Sequence, residues 1–330
     1  MKNKPSIMNY PGSKNESHFH TAFNNIFDAV PCTHTIVEPC IGGNGIQPFY
    51  YKNFNKYIIS DYDDKVLNIY HCISTKPYDL LRACEGLNDA ILSSFKYAYD
   101  QVLKKTLYNT IIEFIKEYFL HKNDREVSDT VLLIFKKARS TQNLSDIKLS
   151  SYMEAFKRNY KNILAIHESI YMADILKHLP QEQRDLLALV RALISYKDIL
   201  LLIDPPYYLT DKIYNSNSPS YKYHKELARF LRKTKGYFCL FLRINASRTN
   251  NSKDNEVLDD ALFAFYKKFY YGRGYYVYCD NYENNEYFIN YRSNGTLEVM
   301  ITNFKYPNAY PLDEIFDKYQ QKIKHERNGN

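Results

Sequence analysis

The run 198–207, DILLLIDPPY, constrains the fold more than any other stretch of the chain. Its unbroken apolar core, far too short to cross a membrane, predicts a strand buried on both faces. Strands of that kind belong to parallel sheets covered by helices, which places the chain among α/β folds. The two prolines end the strand, because each fixes φ and lacks a backbone donor. Asp204 is thereby set at the carboxyl end of a strand, where open α/β sheets hold their ligands.

Other β-branched and aromatic runs predict strands at 35–38, 57–61, 236–244, 275–279, 286–291 and 297–302. The first reaches Glu38, and the second ends in Asp61. Asp61 and Asp204 lie 143 positions apart, far more than one crossover requires. The intervening stretch is lysine-rich, with apolar residues at three- and four-residue spacing over 92–119, 127–139 and 150–168. We read 76–161 as a helical domain inserted into a sheet domain formed by 1–75 and 162–330.

Composition narrows the classes. A net charge of +7 admits a polyanionic partner without requiring one. The six cysteines form no C-x-x-C pair, and the only clustered histidines are His18 and His20. Neither pattern builds a metal site or a disulfide framework. The N-terminal segment has no apolar signal core and no run is long enough to span a membrane, so a reducing cytoplasm is expected.

Three motifs carry chemistry. In VEPCIGGNGI, residues 37–46, a strand ends at Glu38, Pro39 breaks it, and a turn follows with Gly42, Gly43 and Gly45. Such a turn lets backbone approach a ligand, although ordinary loops share the pattern. Asp61, at the end of the next strand, is placed either to accept from ribose hydroxyls or to cap the helix that starts near Asp63. Decisive is Asp204-Pro205-Pro206-Tyr207. A carboxylate and a proline carbonyl on a rigid turn are two placed acceptors, with an aromatic ring beside them. An aromatic amine is a poor nucleophile whose two hydrogens such acceptors can bind, favouring a pyramidal nitrogen in the transition state.

Asn9-Tyr10-Pro11-Gly12-Ser13-Lys14, EPCIGG, SDYDDKVLNIY, DPPYY and LEVMITNF occur in an order that resembles the Dam-like adenine DNA methyltransferases. The resemblance covers both ends of the chain and not the helical insert. It implies a Rossmann-like methyltransferase sheet with an inserted helical DNA-recognition domain. It also implies S-adenosylmethionine as cofactor, and adenine flipped out of double-stranded DNA as substrate, stacked on Tyr207. By position, Tyr10 and Lys14 approach the methionine part, and Glu38, Pro39 and the turn line the cofactor. Asp61 holds the ribose, and Asp174, in SIYMAD, contacts the cofactor adenine or else caps a helix. Asp204, Pro205, Pro206 and Tyr207 form the catalytic turn. No metal is needed. Cys40 replaces the family's usual Phe, and Asn44 falls on the last glycine of its turn.

Candidate phosphate contacts are Lys136, Lys137 and Arg139 in the insert, Lys222 after the catalytic turn, and Arg243 and Arg248 after a later strand. The rival readings are a DNA-binding protein with a decayed cofactor site, motivated by Cys40 and Asn44, and amino methylation of RNA or of protein glutamine. A dinucleotide oxidoreductase would leave the proline turn unexplained. Partnership with a restriction endonuclease, stand-alone action and phage origin all agree with the sequence.

Overall fold

Each expected strand forms, shortened by a residue or more in most cases. The computed structural model describes residues 6–8, 17–43, 54–120, 124–139, 144–208, 220–244, 252–279, 281–284, 286–291 and 296–328. The strands are β1 (Thr35–Glu38), β2 (Lys56–Ile59), β3 (Ile199–Ile203), β4 (Tyr237–Arg243), β5 (Tyr276–Tyr278), β6 (Ile289–Tyr291), β7 (Thr296–Thr302) and β8 (Ala309–Pro311). Of these, only β8 has no counterpart among the expected runs. The chain divides into two compact units. A sheet unit comprises Ser17–Cys40, Asn53–Tyr62 and Pro180–Asn330, and a helical unit comprises Met1–Glu16, Ile41–Lys52 and Asp63–Leu179.

Within the sheet unit the strand order is β2-β1-β3-β4-β7-β5-β8, with β6 also paired to β7. The pairs β1–β2, β1–β3 and β3–β4 are parallel. From β4 onward every pairing is antiparallel. All five residues of β3 are buried, as its apolar run requires. The chain leaves β1 for β2 on one side and leaves β3 for β4 on the other. The carboxyl ends of β1 and β3 therefore flank a topological switch point, the usual ligand crevice of such sheets. Gly236 permits the close approach of β4 to β3. A β-carbon there would meet the Ile199 side chain at 2.6 Å and the carbonyls of Ile199 and Tyr196 at 2.9 Å. Asn303 fixes the same corner, donating to the Gly236 carbonyl at 2.8 Å and accepting from the Phe238 N–H at 2.9 Å.

Helix α1 (Ser17–Ala29) belongs to the sheet unit. The helical unit holds α2 (Asp64–Thr75), α3 (Pro77–Ser94), α4 (Lys105–Phe119), α5 (Arg125–Lys136), α6 (Leu149–Tyr160) and α7 (Ile163–Ile170). The expected continuous helix over 92–119 is broken. Phe95 ends α3, and Val102 makes an antiparallel bridge to Lys148 before α4 begins. Leu103 is fully buried, so the apolar spacing that continues through the break serves the core and not a helix face. The unit's core is apolar and aromatic, with Leu80, Ile91, Ile115, Ile134, Phe135 and Phe156 fully buried. Back in the sheet unit follow α8 (Leu186–Leu193), α9 (Tyr221–Leu231), α10 (Ser252–Tyr270) and α11 (Leu312–Asn328). Among the described residues no helix is long and apolar enough to cross a membrane.

Candidate active site

At the switch point Glu38 ends β1, buried to 6% exposure. Its carboxylate accepts from the Tyr57 hydroxyl at 2.5 Å, and its carbonyl accepts from the Ser60 N–H at 2.9 Å. The ends of β1 and β2 are thus tied by side chain and backbone together. Asp61, also buried, follows β2, and its backbone carbonyl accepts from the buried guanidinium of Arg184 at 3.1 Å. Next to Arg184, Asp185 caps α8 by accepting from the N–H groups of Leu187 and Ala188. Glu38, Asp61, Asp185 and Asp204 gather about Cys40. Burial first, and then the charges of Asp61, Asp204, Asp185 and Glu38, push that thiol well above its ordinary value.

The proline turn follows β3. Pro205 is buried, and Asp204 and Pro206 are half-buried. The Tyr207 hydroxyl donates to Asp204 Oδ1 at 2.9 Å. Tyr207 itself is only 6% exposed, so its ring packs inward while its hydroxyl orients the carboxylate. The neighbouring Tyr208 stacks on Phe265 of α10, with centroids 4.4 Å apart. A turn with two prolines is held on one side by the strand and on the other by this aromatic layer.

These features select among the known families. Residues 10–271 match the D12 class N6 adenine-specific DNA methyltransferases. The chain belongs to that family. No curated protein matches its sequence. Methyltransferases of this family act on adenine in DNA and use S-adenosylmethionine. The donor set here fits that cofactor, whose sulfonium and ammonium charges and ribose hydroxyls call for acceptors. Acceptors of that kind stand at this end of the sheet, where the carboxylates of Glu38 and Asp61 lie near Cys40 together with those of Asp185 and Asp204. Among the described residues no cluster of side chains is built to hold a metal ion.

The methyltransferase brings Glu38, Pro39, Asp61 and Asp204–Tyr207 to one end of its sheet, as the sequence implied. Capping does not account for Asp61, because Asp63 caps α2 by accepting from the Lys65 N–H. Asp174 sits in the short extended pair Asp174–Ile175 of the helical unit. The turn after it has Ile175 at its N-cap, so Asp174 is no helix cap. Gly42 adopts a left-handed φ of 48°, which glycine takes without strain, and its carbonyl accepts from Tyr70 at 2.8 Å. The Gly43 carbonyl accepts from Ser6. Tyr10, Lys14, Asn44, Gly45 and Arg248 lie outside the described residues.

Among the DNA candidates, Lys136, Lys137 and Arg139 are half-buried at the end of α5, and Lys222 is exposed in the first turn of α9. Lys136 and Lys65 border a cavity of about 710 Å³ in the helical unit. Burial, and then the charges of Lys116 and Lys65, hold the Lys136 ammonium below its usual range. An anion would relieve that repulsion. Arg243 is a correction. It is 6% exposed, sits in β4 opposite Glu298 of β7, and lies near Tyr207 and Tyr266. A buried guanidinium facing a buried carboxylate is part of the sheet's interior and not a phosphate contact.

Sequence reasoning missed Arg184, Asp185, Tyr223 and His224. Asp185 was findable as an acid placed directly before the apolar run of a helix. The other three carry no local signal. Burial first, and then the nearby Cys40 and Asp185, raise the Tyr223 phenol.

Proposed function

We propose that this protein transfers the methyl group of S-adenosylmethionine to the exocyclic amino group of adenine within a specific sequence of duplex DNA. The observation that carries the reading is Asp204, at the end of a fully buried strand, on a double-proline turn, with its carboxylate oriented by Tyr207. The Asp204 carboxylate and the Pro205 carbonyl accept the two amino hydrogens. The nitrogen is thereby drawn toward a pyramidal form with its lone pair freed for attack. When bound, the cofactor supplies an electrophilic methyl whose departure leaves a neutral thioether. Asp204 withdraws positive charge from the amine as the new N–C bond forms, and the excess proton leaves by way of that carboxylate.

Glu38, Pro39, Gly42, Gly43, Gly45, Tyr10 and Lys14 line the cofactor in this reading. Asp61 holds its ribose and Asp174 its adenine. The four carboxylates around Cys40 support the assignment of Glu38 and Asp61. The helical domain, 76–161, holds the DNA through Lys136, Lys137 and Arg139, with Lys222 and Arg248 contributing from the sheet unit. Lys136, whose ammonium is held below its usual range by burial first and then by Lys116 and Lys65, supports an anionic partner there.

Expression in a methylation-free bacterial host, followed by single-molecule sequencing, tests the whole reading at once. It should return N6-methyladenine at one recurring sequence. Genomic DNA free of modified adenine, together with no calorimetric signal for S-adenosylmethionine, would point instead to a DNA-binding protein whose cofactor site has decayed.

A further inference from the structure

His224 has no place in the chemistry above, yet its surroundings are unusual. It lies one turn into α9, four residues after the N-cap Ser220, and is fully buried. The rings of Tyr208, Tyr223 and Phe265 close around it, with centroids 5.6 to 5.9 Å away. Burial lowers its pKa to about 4, so the ring is neutral at physiological pH, with one nitrogen a donor and the other an acceptor. Neither nitrogen reaches a hydrogen-bond partner among the described residues. A buried ring with both nitrogens unmet is uncommon, because each unmet group costs free energy.

A polar group beside this ring is the backbone of Pro206. Proline has no N–H, so that group is a carbonyl and can only accept. It belongs to the catalytic turn, one residue beyond the carbonyl that is assigned to the adenine amine. The imidazole is therefore a donor poised beside an acceptor, short of the geometry that would join them.

We propose that His224 is a positioning residue whose ring N–H completes a hydrogen bond to the Pro206 carbonyl when the catalytic turn closes on a base. The unmet donor penalises the resting turn, and closing removes that share of the penalty while the acceptor nitrogen stays unmet, so the same contact favours the reactive arrangement over the resting one. The proposal rests on the reading of Asp204–Tyr207 as the catalytic turn.

His224→Phe tests it, because phenylalanine fills the same space without polar atoms. Replacing unmet polar groups by an apolar ring of similar shape should leave resistance to urea unchanged or raised. Cofactor affinity by calorimetry should not move, while the single-turnover rate on adenine duplex should fall by about tenfold, the scale of one neutral hydrogen bond. His224→Asn or His224→Gln, each returning an amide donor near one ring nitrogen, should recover part of that rate. A phenylalanine variant that turns over at the wild-type rate, or amide variants no faster than it, would show the ring to be core filling and overturn the proposal. If His224→Phe does not fold, the two amide variants are compared with wild type. At least one of them should then keep a measurable part of the wild-type rate, and loss of all turnover in both would overturn the proposal.

A second readout does not depend on turnover. In the full chain with labelled histidine, the His224 ring N–H should shift and become protected from exchange when duplex DNA and S-adenosylhomocysteine are added together. No change in that signal, in a protein that binds both, contradicts the proposal. A protein that never methylates adenine but shows the shift would overturn the catalytic reading and leave the closing contact standing.

Discussion

Tyr207→Phe isolates the role of one hydroxyl in the catalytic turn. The ring is 6% exposed and would keep its packing, so the change removes the hydroxyl, which makes the 2.9 Å bond to Asp204 Oδ1 and lies near Arg243. Hydrogen bonds to charged groups contribute about 1.5–3 kcal/mol. Asp204 is half-buried, so water can replace part of the loss, and the lower end, about 1.5 kcal/mol, applies. If that bond orients the carboxylate toward the amine, the loss falls on the transition state and slows single turnover about tenfold. The assay is rapid-quench methyl transfer with enzyme in excess over adenine duplex, beside calorimetry with S-adenosylmethionine. Cofactor affinity should be unchanged. A rate equal to or above wild type would rule out this orienting role.

Asp61→Ala should weaken S-adenosylmethionine by roughly 1–3 kcal/mol while DNA affinity without cofactor barely changes; a variant that binds cofactor normally removes Asp61 from the site. Neutralising Lys136, Lys137 and Arg139 together should weaken binding to all DNA sequences alike. It should also flatten the slope of log K against log salt by about one unit per lost phosphate contact, and an unchanged slope moves the DNA surface elsewhere. Cys40 should resist alkylation. Its pKa is raised, so at a pH of about 8.5, where an ordinary thiol is half ionised, it holds little of the reactive thiolate. Iodoacetamide followed by mass spectrometry should label the exposed Cys32 far sooner, and equal labelling rates would contradict the burial and the nearby negative charge that hold the Cys40 thiol protonated.

Much of this architecture is legible in the sequence because burial on two faces leaves a pattern that few alternatives share. The five residues of β3 are apolar without interruption, and each is buried. The carboxylates at 38, 61 and 204 are legible for the same reason, each standing where such a run stops. Other features have no local signature. β8 is three residues long, too short for alternation to appear, and is set by its antiparallel register with β5. The break before α4 has no glycine or proline, and its apolar residues keep helical spacing while serving a β-bridge. Arg243 follows an apolar strand as a surface contact would, and only the register with Glu298 turns it inward. His224 reads as one polar residue in an amphipathic helix until the rings around it are known.

The proposed chemistry stands or falls on Asp204 acting on the adenine amine and not holding the cofactor. Asp204→Ala separates the two roles when methyl transfer to adenine-containing duplex and cofactor affinity are measured in one preparation. The single-turnover rate should fall by at least ~100-fold, the scale for one transition-state acceptor in a dry site, with S-adenosylmethionine bound as tightly as by wild type. Methyl transfer at a comparable rate, or a lost rate explained entirely by lost cofactor binding, would contradict that role for Asp204.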